Sequence, residues 1–181
     1  MPTMPNKCPY CSIQFSRAIT KEHPSFGKVK HCPHCHEPVF YRNHRGKKVV
    51  VPYLYKDLVD WIIARFNQHL SSMHEFDFEL GEATAKERAF AYDLVDFIAR
   101  FIGQSYLDIG LNLAAFVKKF VDYVLSLEWW SVNLKSLCQL KNRRNRLVAE
   151  FYESQAASLD VDTPYRDRVV KQLELSLGHG A

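Results

Sequence analysis

The sequence predicts a mostly α-helical protein, a five-helix bundle preceded by a small β module that contains paired cysteines. Residues 1–52 hold four of the five cysteines and seven of the eight prolines. Residues 53–181 instead repeat apolar side chains with the period of an α-helix. The charge changes at the same place, from a net +7 over residues 1–52 to a net −3 over the remainder. We therefore expect two domains, 1–52 and 53–181.

The overall composition excludes several classes of protein. Hydrophobic residues make up 47% of the chain and charged residues 24%, which is ordinary for a globular protein and excludes a disordered or collagen-like chain. No apolar stretch approaches the roughly 18 residues of a membrane span, and no secretory signal is visible at the start. Five cysteines without such a signal indicate metal or thiol chemistry rather than disulfides. We expect a cytoplasmic protein with no membrane partner.

The paired cysteines of the first domain have metal-ligand spacing. Cys8-Pro-Tyr-Cys11 and Cys32-Pro-His-Cys35 are separated by twenty residues. Two residues between cysteines allow a tight turn to aim both sulfurs at one ion, and two such turns supply four thiolates. This arrangement resembles a zinc ribbon. We expect structural Zn²⁺, because four thiolates leave no open position for a catalytic water.

The remaining residues of the first domain predict two β-hairpins. The β-prone runs at 12–19 and 28–31 form the first, and those at 38–42 and 47–51 form the second around a turn at 43–46. Four cations surround that turn: Arg42, Arg45, Lys47 and Lys48. Two interpretations of them stay open, a solvated turn and contact with nucleic-acid phosphates, which a strongly basic module attracts non-specifically.

Five helices are predicted in the second domain from apolar periodicity and capping signals. A capping box at 84–87 opens the second helix, and Pro164 lies in the first turn of the last. The predicted helices cover residues 53–70, 84–103, 110–127, 132–157 and 162–178.

A basic segment at 141–152 contains the candidate functional residues of this domain. It places Lys141, Arg143, Arg144 and Arg146 within six positions. Spacing alone favours a solvated basic face. However, the segment also resembles the signature of HEPN domains, which are all-α bundles and are often metal-independent endoribonucleases. The residues that match the signature are Arg144, Asn145, Leu147, Val148, Glu150 and Phe151, and the position of the motif histidine is Ala149.

The resemblance implies a metal-independent endoribonuclease that acts as a toxin or phage-defence effector. Arg144 and Asn145 would be catalytic together with a histidine at position 149, and Arg143 and Arg146 would bind RNA. Arginine stabilises charge that develops on a phosphate, and histidine transfers protons near neutral pH. Positions 144 and 149 lie about 140° apart around a helix. The homodimer that the family implies would help to bring them together, and an antitoxin or regulatory partner is also expected.

Ala149 cannot transfer a proton, so we expect the chain to be inactive in this mechanism. Two explanations stay open: a substitution introduced to disarm a toxic ribonuclease, and a natural pseudoenzyme. The intact remainder of the motif favours the first. The alternative function, from a different class, is a non-catalytic adaptor in which the zinc ribbon binds nucleic acid or protein and the helices dimerise.

Overall fold

The computed structural model describes residues 6–73, 85–105, 108–133 and 136–158. It groups the chain into two compact units, Met1–Asp60 and Trp61–Ala181, which we call the strand unit and the helical unit. The first helix runs across the division, so this grouping does not test the predicted domain limits at residue 52. None of the described helices is both long enough and apolar enough to cross a membrane.

The strand unit contains two antiparallel sheets. A two-stranded sheet pairs β1 (Asn6–Lys7) with β2 (Gln14–Phe15). The other sheet has four strands in the order β3-β4-β5-β6. Their bounds are Ile19–His23, Gly27–His31, Pro38–His44 and Lys47–Pro52.

The second predicted hairpin is confirmed, and its turn explains its register. Strands β5 and β6 pair from Val39 opposite Pro52 to His44 opposite Lys47, which leaves a two-residue turn. Both turn residues have positive φ, 51° at Arg45 and 78° at Gly46. Such a turn matches the right-handed twist of the two strands, and glycine takes the second position without steric cost.

The first predicted hairpin is shifted. The run at 12–19 was expected to pair with 28–31, but β3 at Ile19–His23 is the strand that pairs with β4. The earlier part of that run contributes only Gln14–Phe15, which pairs with β1. The reason is local, because the first cysteine turn draws Gln14–Phe15 back against Asn6–Lys7.

The core of the strand unit is small. The cluster around the sulfurs buries two cysteines, Cys8 and Cys32, and three other apolar residues, Phe15, Val39 and Val50. Cys11, Cys35 and Tyr41 pack against them with partial exposure. So few apolar side chains supply little burial free energy, and small units of this kind generally need a metal or a disulfide.

The helical unit differs from the predicted bundle. The helices are α1 (Tyr53–Met73), α2 (Ala85–Gln104), α3 (Leu113–Ser126), α4 (Glu128–Asn133) and α5 (Arg144–Ala157), with a 3₁₀ helix at Leu137–Leu140. The first three agree with the predicted segments to within three residues at each described end. The predicted helix at 162–178 and Thr84 of the capping box lie outside the described residues.

The predicted fold class, a mostly α five-helix HEPN-like bundle after a small β zinc ribbon, is wrong. The described chain has two antiparallel sheets with six strands, four long helices and the short α4. The continuous helix expected at 132–157 is interrupted, because Ser136 starts a separate turn. Its hydroxyl accepts a hydrogen bond from Cys138 N, and Gln139 Oε1 accepts one from Ser136 N, which is a capping box for the 3₁₀ helix.

Aromatic rings hold α5 against α2 and α3. The Phe151 ring lies 5.0 Å from Phe116 and 5.9 Å from Phe120 between centroids, edge to face in both pairs. Tyr152 meets Phe101 of α2 edge to face at 5.4 Å. Such pairs add about 0.5–1.5 kcal/mol each beyond their buried area. These contacts fix which faces of α5 point inward.

Replacement of Phe151 with alanine should therefore destabilise the helical unit. Phe151 is 2% exposed, and large-to-small changes at such sites cost about 3–5 kcal/mol. Urea denaturation followed by circular dichroism measures the loss. Ser154→Ala, on the exposed side of the same helix, is the control and should change the unfolding free energy by less than about 0.5 kcal/mol. Equal midpoints for the two variants would contradict this packing.

Candidate metal centre and Arg144 site

Four cysteine sulfurs converge in the strand unit. The Sγ atoms of Cys8, Cys11, Cys32 and Cys35 all lie within 4.8 Å of one another. The distance is 3.6 Å between the sulfurs of Cys8 and Cys35 and 3.9 Å between those of Cys11 and Cys32. Tetrahedral coordination with metal–sulfur bonds of about 2.3 Å separates the sulfurs by about 3.8 Å. The four residues could therefore hold one metal ion.

Two equivalent turns position these sulfurs. Ser12 N donates to Cys8 O at 3.1 Å, and His36 N donates to Cys32 O at 3.0 Å. Ser12 and His36 each have φ of 61°, so each turn closes on a left-handed residue directly after its second cysteine. The repeated geometry follows from the repeated Cys-Pro-x-Cys sequence.

Backbone amides point at one sulfur of each turn. Tyr10 N donates to Cys8 Sγ and His34 N donates to Cys32 Sγ, both at 3.4 Å. Donors of this kind favour a thiolate over a thiol.

The thiols of this cluster differ in acidity. Burial raises the pKa of Cys8, and it raises that of Cys35 to about 12. Burial also acts on Cys32, but hydrogen bonds from the backbone of Cys35 and His34 outweigh it and lower its pKa to about 7. A bound cation would favour the thiolate form of all four residues, so metal binding here releases protons.

The cations of the β5–β6 hairpin gather at its turn. Arg45, Lys47 and Lys48 are exposed. Arg42 is half-buried, and its Nη2 lies 2.7 Å from His44 Nδ1. The structure thus brings the predicted basic residues of the first domain together at one end of the sheet.

Arg144 occupies the first position of α5, and its side chain is held by neighbours. Its guanidinium carbon lies 4.5 Å from the centre of the Phe97 ring on α2. Its Nε donates to Asn145 Oδ1 at 3.4 Å. Burial lowers the pKa of the guanidinium, which the charge of Asp93 opposes and that of Arg100 reinforces. Arginine remains protonated at neutral pH despite such shifts.

The terminal nitrogens of Arg144 are not engaged within the described residues. No described carboxylate forms an ion pair with this guanidinium, although Arg146 pairs with Glu150 at 2.6 Å and Arg100 with Asp96 at 2.9 Å. Arg143 is exposed at the N-cap position and provides no side-chain cap for the helix. The predicted cations of this segment therefore differ: Arg146 is ion-paired, Arg143 is exposed, and Arg144 is stacked on an aromatic ring.

Ala149 and Arg144 point in different directions. The helix is continuous from Arg144 to Ala157, so the two positions are separated by about 140° and about 7.5 Å along the axis. Ala149 is half-buried and shares a stripe of α5 with Asn145 and the buried Tyr152. One chain does not bring positions 144 and 149 together on one surface.

Sequence reasoning missed the contact between Arg144 and Phe97. In the sequence, Phe97 is one of the apolar residues whose periodicity predicts the second helix. It lies 47 positions before Arg144, and no local pattern reports which ring an arginine will stack on.

Comparison of the chain with protein-family models, curated proteins and solved structures finds no match.

The cysteine cluster should hold one metal ion per chain. Elemental analysis of protein purified under reducing conditions measures this ratio. Cys32→Ser should lower metal content well below one and expose the hairpin to aggregation, because one anionic ligand is lost. Cys138→Ser, which changes the cysteine outside the cluster, is the matched control and should retain the metal. A metal-free native protein with an intact strand unit would contradict the assignment.

Proposed function

We propose that the helical unit binds RNA through Arg144 and is a metal-independent endoribonuclease of HEPN type, inactive here because position 149 is alanine. The observation that carries this proposal is the Arg144 guanidinium, which is stacked over Phe97 while its terminal nitrogens have no carboxylate partner among the described residues. Stacking limits the rotamers of the side chain, so less conformational entropy is lost when it binds a phosphate. The terminal nitrogens present a fork that matches two phosphate oxygens.

Apart from the opposing charge of Asp93, the surroundings of Arg144 also favour an anion. The first backbone N–H groups of a helix have no intrahelical acceptor and carry partial positive charge. Arg143 and Lys141 are exposed beside this end of α5. A phosphodiester is the anion for which this combination of stacked fork and neighbouring cations is suited.

The proposed reaction needs a proton carrier that this chain lacks. In metal-independent cleavage the ribose 2′-oxygen attacks the adjacent phosphorus, the 5′-oxygen leaves, and a 2′,3′-cyclic phosphate remains on one product. A histidine at position 149 would transfer the proton, and Arg144 would stabilise the charge on the phosphoryl oxygens. Because positions 144 and 149 diverge on one helix, we further propose a homodimer in which each copy contributes to the other's site.

The strand unit has an accessory role in the proposed binding of RNA. Its four cysteines bind Zn²⁺ as a structural ion, and the basic turn at Arg45, Lys47 and Lys48 adds sequence-independent contacts to nucleic acid. An active form would damage cellular RNA, which suits a cytoplasmic toxin or phage-defence effector controlled by an antitoxin or regulatory partner.

Arg144→Ala should weaken binding of a fluorescently labelled single-stranded oligouridine by about tenfold or more, since charge-assisted hydrogen bonds contribute about 1.5–3 kcal/mol. Fluorescence anisotropy at fixed salt measures the affinity. Arg144→Lys keeps the charge but loses the fork and the stacking, so its affinity should lie between those of the native chain and Arg144→Ala. Arg65→Ala removes the same charge from α1 and should have little effect. Unchanged binding by Arg144→Ala would refute the proposed RNA site.

Ala149→His should create ribonuclease activity that survives EDTA and leaves a 2′,3′-cyclic phosphate. A general acid–base contributes about 10²–10⁴-fold in rate, so the gain should be clear above background. The double variant that adds Arg144→Ala should be inactive. Light scattering should show a dimer in every case.

An Ala149→His variant that is folded and dimeric but cleaves no RNA would contradict the proposed ribonuclease activity. That result would favour the alternative function, a non-catalytic adaptor. A monomer at micromolar concentration would reject the shared site.

A further inference from the structure

A small cleft lies beside α5, on the stripe that contains position 149. Its volume is about 190 Å³, below the roughly 300–1,000 Å³ of sites for drug-sized ligands. It therefore has room for one planar ring system rather than for a whole nucleotide. The residues that line it are Ile102, Ser105, Asp108, Ile109, Leu111 and Tyr152.

Position in the helix places this cleft on the face of α5 that carries positions 145 and 149 of the proposed site. Tyr152 follows Ala149 by three residues and Asn145 by seven, so the three share one face of α5. Packed rings between α2 and α5 link Arg144 to the wall of the cleft, and since Phe101 and Tyr152 are buried, these rings position the two sites rather than contact RNA. Phe97 lies beneath the guanidinium, Phe101 is 6.3 Å further along α2, and Tyr152 is 5.4 Å from Phe101. Arg144 and Tyr152 are about 12 Å apart along the helix axis, which a short single-stranded RNA segment spans.

The cleft combines apolar walls with hydrogen-bond acceptors. Ile102, Ile109 and Leu111 are half-exposed and supply apolar surface against which a base can pack. Ser105 Oγ donates its proton to Ile102 O at 2.8 Å, so its lone pairs remain as acceptors. Asp108 Oδ1 accepts from Gly110 N at 2.8 Å, and Asp108 forms no ion pair with any described residue.

A carboxylate in such a cleft selects among the four bases. Guanine alone has two adjacent N–H donors, at N1 and at the 2-amino group, which match both oxygens of a carboxylate. In adenine and cytosine the amino group neighbours an acceptor nitrogen, and in uracil the single N–H lies between two acceptors. Proteins read an unstacked base by packing against it and hydrogen bonding to this edge.

We propose that this cleft binds an unpaired guanine of the RNA, with Asp108 accepting from its Watson–Crick edge. The inference rests on the proposed RNA-binding function and adds a base preference to it. Guanine at a fixed spacing from the scissile phosphate would then determine where an active form cleaves.

The test compares two heptaribonucleotides, UUUGUUU and UUUAUUU, by fluorescence anisotropy. We expect the native chain to prefer the guanine probe by roughly 5- to 150-fold, the range of one bidentate base contact. Asp108→Asn keeps an oxygen for Gly110 N but loses the second acceptor, so the preference should fall below about twofold, with UUUUUUU bound no more weakly than before. Asp57→Asn, which neutralises an exposed carboxylate of α1, is the control and should keep the preference.

A second measurement separates this cleft from the proposed function. 5′-GMP and 5′-AMP are compared by ligand-observed NMR with the native chain, Asp108→Asn and Arg144→Ala. We expect GMP binding that exceeds AMP binding, is lost in Asp108→Asn and persists in Arg144→Ala. Equal binding of the two nucleotides, or a guanine preference that survives Asp108→Asn, would overturn the guanine site. RNA affinity that does not depend on Arg144 would refute the proposed function. The comparison of GMP with AMP would then still show whether the cleft binds guanine.

Discussion

The ring of Phe151 determines which way Arg144 and Ala149 face on α5. It lies between Phe116, Phe120 and Tyr123 of α3, at centroid distances of 5.0, 5.9 and 5.4 Å. A helix has no rotational freedom once such a residue is buried, because every other side chain is then placed at about 100° per residue. Arg144 consequently reaches the Phe97 ring, Ala149 faces the Tyr152 side, and Arg146 remains in solvent, where it pairs with Glu150.

The strand unit depends on a different constraint, the convergence of four sulfurs. Only three described apolar residues besides cysteines are buried in the cluster around the sulfurs, so side-chain burial there supplies little stability. The two cysteine turns nevertheless have matching backbone geometry, with left-handed residues at Ser12 and His36. A metal bound only by the folded form would stabilise these turns together with the sheet attached to them.

Local sequence patterns predicted the features that local geometry determines. Cys-x-x-Cys spacing placed the sulfurs, and two β-prone runs on either side of residues 43–46 placed the β5–β6 turn, which the structure narrows to two residues. Apolar periodicity failed after residue 132, because the capping contacts of Ser136 and Gln139 override a spacing that would suit one long helix. The stacking of Arg144 on Phe97 and the cleft next to Tyr152 depend on how helices pack, and helix packing is not encoded in any short segment.

We propose that the Arg144 guanidinium binds a phosphodiester of RNA. Nitrogen-15 NMR of the arginine side chains tests it most directly, with the Arg144 signal assigned by its loss in Arg144→Lys. We expect the Arg144 signals to be among those that oligouridine shifts most. These shifts should reach saturation at the RNA concentration that saturates the fluorescence anisotropy. Saturated RNA binding with the Arg144 signals unmoved, and with only the Arg42 and Arg45 signals shifted, would contradict the claim.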